Sequence, residues 1–154
     1  MVMENDFLEK TLESIIFENK DSIWEKGFPI LYKNTERQYQ IDSRRIDLFS
    51  YEEIDDVFYF KIFELKRGVI DNKALLQISD YYFRILMKNK GVYKDYKYDL
   101  YLIGNNYDND VLSTCLLSEF LHFYTYKYDY NGIKFEKMSK THSEFKEIIT
   151  NGIK

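Results

Sequence analysis

Two short strings lie in strand-like apolar runs: Arg45-Ile46-Asp47-Leu48 and, further on, Phe63-Glu64-Leu65-Lys66, with Glu64 seventeen positions after Asp47. Side chains on a strand alternate faces, so Glu64 and Lys66 share one face while Phe63 and Leu65 share the other. Pairing of segments 44–51 and 57–66 would bring Asp47 alongside Glu64. Two adjacent carboxylates repel and resist desolvation unless a cation joins them. Mg²⁺ suits such a pair, because it takes carboxylate, water and phosphate oxygens. A lysine two residues on can stabilise developing phosphate charge or act on the attacking water. Metal-assisted phosphodiester hydrolysis is the chemistry this set can perform. The tripeptide acid-x-Lys is common in the chain, also starting at Glu18, Asp71, Asp95 and Glu144. Glu64 differs in ending a long hydrophobic strand, with a second acid in mid-strand at Asp47. The competing arrangement is an Asp47–Lys66 salt bridge with Glu64 facing solvent.

The elements that must position these groups follow from periodicity. Phe7, Leu8, Leu12, Ile15, Ile16 and Ile23 predict a helix over 6–25, broken by Gly27-Phe28-Pro29. Residues 37–41 and 44–51 predict an antiparallel pair across Asp42-Ser43. A polar loop, 52–56, leads to the strongest strand, 57–66. Asp71 or Asn72 caps a helix over 73–88, with Ala74, Ile78, Tyr82 and Ile85 on its apolar line. A strand over 99–103, a helix over 110–120, an Asn131-Gly132 hairpin joining 123–130 to 133–135, and a helix over 143–149 complete the chain. The expected order is αβββαβαββ(α), a mixed α/β fold.

The 154 residues fit one domain, and 45% apolar with 31% charged residues is a globular balance. Six glycines and one proline leave little room for linkers, and 15 tyrosines with 12 phenylalanines make the core aromatic. Apolar runs fall far short of the about 20 residues of a membrane span, and the charged N-terminus lacks a signal-peptide core. A cytoplasmic protein with no membrane partner is expected. Cys115 is the only cysteine, so an internal disulfide and a cysteine-based zinc site are excluded. The formal charge of −4 gives no globally basic surface, so nucleic acid would need a local patch, bound metal or a partner.

In order and spacing, Leu12-Glu13, Arg45-Ile46-Asp47-Leu48, Glu64-Leu65-Lys66-Arg67-Gly68 and Gln77-Ile78-Ser79-Asp80-Tyr81 resemble the PD-(D/E)XK nuclease superfamily. The likeness is to its RecB-like branch and to the nuclease domain of archaeal-type mismatch and flap endonucleases, and it spans residues 9 to 82. The resemblance implies a restriction-endonuclease-like core, a mixed central sheet flanked by helices. It implies Mg²⁺, with Mn²⁺ as substitute, held by Asp47, Glu64 and the Leu65 carbonyl. Lys66 would act on the water or the scissile phosphate. Glu13, with Glu9 one turn earlier as fallback, would be an auxiliary metal or water ligand. Gln77 would sit beside the site against the nucleic-acid backbone or the lysine, and Tyr81 would support packing. Where relatives often carry glycine before the R-I-D string, this chain has Arg44.

Arg44, Arg45, Arg67 and Lys73, with Arg37, cluster in sequence around the proposed site and can supply a local basic patch for DNA. Solvated charge at strand ends is the alternative for each. Tyrosines over 93–101 suit either a single-strand stacking surface or, more cheaply, core packing. His122 reads as a packed helix-end residue, His142 as a surface residue and Cys115 as a small buried hydrophobe. The expected function is therefore a metal-dependent deoxyribonuclease. The alternative is an inactive nuclease-fold binding protein, a subunit or inhibitor in a restriction, repair or phage-defence assembly. A homodimer or larger assembly is expected by analogy alone.

Overall fold

A computed structural model describes residues 11–138 and 150–151, apart from the side chains at 115 and 116. The expected helix over 143–149, Glu9, His142 and the Cys115 side chain lie outside the described residues. The first helix, α1, is described from residue 11 and ends at 18, well before 25. Asn19 ends it: its backbone N–H and its side-chain amide, at 2.8 Å, both go to the Ile15 carbonyl. A 3₁₀ turn, Ile23–Lys26, follows and closes on Gly27 at φ 92°. A Cβ there would lie 2.2 Å from the Phe135 carbonyl oxygen, so only glycine lets the two backbones approach.

Strands β1 (Asn34–Ile41), β2 (Arg44–Ile54) and β3 (Val57–Leu65) form an antiparallel meander. The expected loop 52–56 shrinks to Asp55-Asp56. Both have positive φ, 53° and 64°, the backbone that a two-residue hairpin turn requires. After β4 (Val69–Ile70), helix α2 (Asn72–Lys88) crosses back to β5 (Asp95–Gly104), which lies parallel to β3. The Asp71 carboxylate accepts from the Ala74 N–H at 3.1 Å and caps α2. The buried line of α2 is Ala74, Ile78, Tyr81 and Ile85. Tyr81 thus takes the place expected for Tyr82, which instead stacks half-buried on Tyr98.

β6 (Asn106–Tyr107) pairs with β4, and β7 (Leu121–Asp129) runs parallel to β5. The helix expected over 110–120 is only α3 (Asn109–Leu112), continued by a 3₁₀ turn, Ser113–Leu116. Ser113 and Thr114 hydroxyls donate back to the Asp110 and Val111 carbonyls, an alternative to helix extension. β8 (Gly132–Lys137) completes the six-stranded sheet, ordered β1-β2-β3-β5-β7-β8. Its hairpin turns on Tyr130-Asn131, one residue earlier than expected, with Asp129 paired to Gly132. The fold is α/β on a mixed sheet.

One core lies between the sheet and α2 with α3, around Phe49, Phe60, Ile62 and Phe123. The other lies on the opposite face beneath α1, around Leu12, Ile16, Phe28 and Phe63. Each fully buried side chain of this kind stabilises the fold by about 1.5–3 kcal/mol. The tyrosine stretch serves packing: Tyr93 stacks on Phe58 at 4.7 Å, and Tyr98 on Tyr82 at 4.1 Å. Among the described residues no helix is long and apolar enough to cross a membrane.

Candidate metal centre

β1 and β2 keep one register on both sides of Gln38 and Asp47, yet those two residues are not themselves paired. The faces change there. Phe49 lies in the core beneath α2 and Leu48 in the core beneath α1. Strict alternation would then send Ile46 toward α1. Instead Ile46 is buried beneath α2, and Tyr39, its partner across the ladder, stacks on Phe49 at 4.6 Å. Gln38 takes up the switch in a left-handed backbone, φ 51°, which costs a non-glycine residue about 1–2 kcal/mol.

This break frees Asp47 from the regular pleat. The β2–β3 ladder ends at the Leu48–Phe63 pair, and Asp47 Oδ2 accepts the Leu65 N–H at 2.8 Å. A side-chain carboxylate thus takes the bond that a strand carbonyl would otherwise take. Within one strand residue, N–H and C=O point to the same edge, so the Leu65 carbonyl also faces this gap.

Glu64 lies beside Asp47 and is only 3% exposed, so the arrangement with Glu64 in solvent is not the one adopted. Lys66 Nζ stands 3.7 Å from Glu64 Oε1, an ion pair too long for a hydrogen bond. Glu64 Oε2 is buried and has no hydrogen-bond partner among the described residues. Burial first, and the charge of Asp47 next, push the Glu64 carboxyl up to about 9, with Lys66 opposing. Burial also raises Asp47, while the Leu65 N–H, a side-chain hydrogen bond with Glu64 and then the charge of Lys66 pull it down. The pair accordingly holds a proton near neutrality, centred on Glu64.

The other expected site residues fall into three groups. Glu13 is buried and adds its negative charge near Asp47, but both its oxygens are already bonded. Arg37 Nε donates to Oε1 at 3.0 Å and Gln38 Nε2 to Oε2 at 2.9 Å. Arg37, expected in the basic patch, is thus spent on α1, with a second bond to Ser14. A cleft of about 550 Å³ is lined by Arg44, Arg45, Lys73, Leu76, Gln77, Asp80 and Tyr81. It adjoins the acids, because Glu64 and Asp47, after burial itself, help push the Tyr81 hydroxyl up to about 12. Gln77 donates to that hydroxyl at 2.7 Å, so its amide is anchored on Tyr81. Arg44 is paired with Asp80, which also binds Arg84. Arg45 and Lys73 are exposed and show no ion-pair partner among the described residues. Arg67 lines a different hollow, of about 390 Å³, with Asn105, Tyr126, Lys127 and Tyr128. The basic residues therefore do not form one patch.

No family model, curated protein or solved structure matches the chain.

Among the described residues no three His, Cys, Asp or Glu side chains converge as a ready metal cage. The donor set nevertheless fits a hard divalent cation. Two adjacent carboxylates, one with an unpartnered buried oxygen, offer the partial shell that Mg²⁺ takes when water and phosphate complete it. Sequence reasoning missed Gln38 and the face switch. A glutamine in a polar, alternating strand carries no sign of a left-handed backbone.

Proposed function

We propose that the chain is a metal-dependent nuclease that hydrolyses DNA phosphodiester bonds with an activated water. The observation that carries this reading is the buried, unpartnered Glu64 Oε2 beside Asp47, with Lys66 next to both. Such a cluster costs the metal-free fold stability, and a cation that joins the carboxylates offsets that cost. Asp47, Glu64 and the Leu65 carbonyl hold the ion. When bound, Mg²⁺ supplies Lewis acidity that lowers the pKa of a coordinated water and offsets phosphate charge. Lys66, half-buried and without a close hydrogen bond to Glu64, orients the water or steadies charge on the scissile phosphate. Arg45 and Lys73 line the neighbouring cleft and contact the DNA backbone. Their attraction offsets the chain's overall negative charge locally. The β1–β2–β3 meander, the α2 crossover and parallel β5 support a restriction-endonuclease-like core of the PD-(D/E)XK type.

The test is cleavage of labelled single-stranded and duplex DNA with Mg²⁺ or Mn²⁺, comparing wild type with Glu64→Ala and Lys66→Ala. Metal-dependent cleavage lost in both variants supports the assignment. Cleavage unchanged in both excludes this site. Metal binding without cleavage points instead to a binding subunit of a larger assembly.

A further inference from the structure

We propose that Gln38 is a positioning residue for the metal centre, holding Asp47 and Glu13 at a fixed separation through one neutral amide. The inference rests on the metal-site reading above and assigns a part to a residue outside the acid, acid, lysine set. Consecutive strand residues point to opposite faces, yet Arg37 and Gln38 both bond the same Glu13 carboxylate. The left-handed backbone at Gln38 breaks the alternation and brings both side chains to Glu13. The amide then donates one N–H to Glu13 Oε2 at 2.9 Å and directs the other toward Asp47 Oδ1 at 3.5 Å. Asp47 is thereby met on two sides, by a long contact from Gln38 at Oδ1 and by the close Leu65 N–H bond at Oδ2.

The chemistry of an amide suits this place. A lysine or arginine here would neutralise Asp47 and compete with an incoming cation. A hydroxyl on a shorter side chain would not span two carboxylates from β1. An amide NH₂ group donates twice and carries no charge, so it orients both acids while leaving their negative charge for the metal. The strained backbone is retained because it aims this amide.

Two variants separate positioning from simple structure. Gln38→Gly accepts the left-handed backbone without strain but has no amide. Gln38→Leu keeps bulk and strain but cannot donate. Free Mn²⁺ is followed by electron paramagnetic resonance in a titration of each protein, with thermal midpoints measured in its absence. The expected result is Mn²⁺ affinity weakened about tenfold in both variants, the usual scale for removing a partner of a metal ligand. Both variants lose the donor to Glu13 Oε2, so the glycine variant, which also sheds the backbone strain, should melt above the leucine variant while losing the same affinity. Wild-type affinity in both variants overturns the proposal and leaves the metal site standing. Affinity lost only in step with a lowered midpoint also overturns it, in favour of a structural role. Failure of the wild type to bind Mn²⁺ overturns both this proposal and the metal reading beneath it.

Discussion

The sheet carries two rows of charged residues, and they are built in opposite ways. On the face toward α1, Lys61 of β3 is paired in register with Asp99 of β5, and Asp99 bonds His122 of β7 at 2.8 Å. Lys61 donates to the Ile30 carbonyl at 2.5 Å and sits 4.8 Å over the Tyr32 ring. His122, expected at a helix end, is a strand residue stacked on Tyr101 at 4.9 Å. Every charge in that row has a partner. At the Asp47–Glu64–Lys66 row, like charges adjoin, one buried oxygen is unpaired, and the lysine stands off at 3.7 Å. Partial burial of charge is common to both rows and marks neither as a site. Incomplete satisfaction is what distinguishes the second.

That contrast can be broken first by activity. Lys66→Ala should lower Mg²⁺-dependent DNA cleavage by about 10²–10³-fold, the scale of losing one group that stabilises transition-state charge. Lys61→Met should leave the rate of the folded fraction unchanged. Equal losses would show that the two rows do not differ in kind.

Stability should divide them with opposite signs. Without metal at pH 8, Glu64→Gln removes a buried group that resists ionising, so urea denaturation should show a gain of about 1–4 kcal/mol. Lys61→Met removes the donor to the Ile30 carbonyl and the positive charge near Asp99, and should lose about 0.5–1.5 kcal/mol. The same sign for both substitutions would refute the distinction.

The pH dependence sharpens it further. Glu64 is raised from an ordinary 4.5 to about 9, so the folded chain binds more protons at this group than the unfolded chain between those values. Linkage then makes its contribution unfavourable as pH rises through that window, with no penalty below 4.5. Metal-free wild type should lose stability from pH 6 to 9 relative to Glu64→Gln, as read from urea midpoints at each pH. Parallel pH profiles for the two proteins would place Glu64 outside the low-dielectric interior.

Much of this arrangement was legible in the residues. The β2–β3 pairing, the helix that follows β3 and the proximity of Asp47 to Glu64 follow from apolar alternation and capping, because those patterns depend on local sequence. Positions set by tertiary contact were not legible. The switch at Gln38 answers to α1, through Glu13, and no local pattern encodes that partner. α3 stops short because Ser113 and Thr114 bond back to the helix they would extend, while composition alone favoured continuation. Tyr81 displaces Tyr82 from the buried line by a small rotation of α2 that periodicity does not resolve. Arg44 and Arg37 looked free in sequence and are committed to Asp80 and Glu13 by residues that lie distant along the chain.

Calorimetric titration of Mn²⁺ in buffers of different ionisation enthalpy, at pH 7, tests most directly whether Asp47 and Glu64 bind a cation in place of their shared proton. Binding should release about one proton per ion, because the metal requires deprotonated ligands, and both the binding and the release should vanish in Asp47→Ala. Mn²⁺ binding that releases no proton and survives Asp47→Ala would place the ion elsewhere and contradict the account.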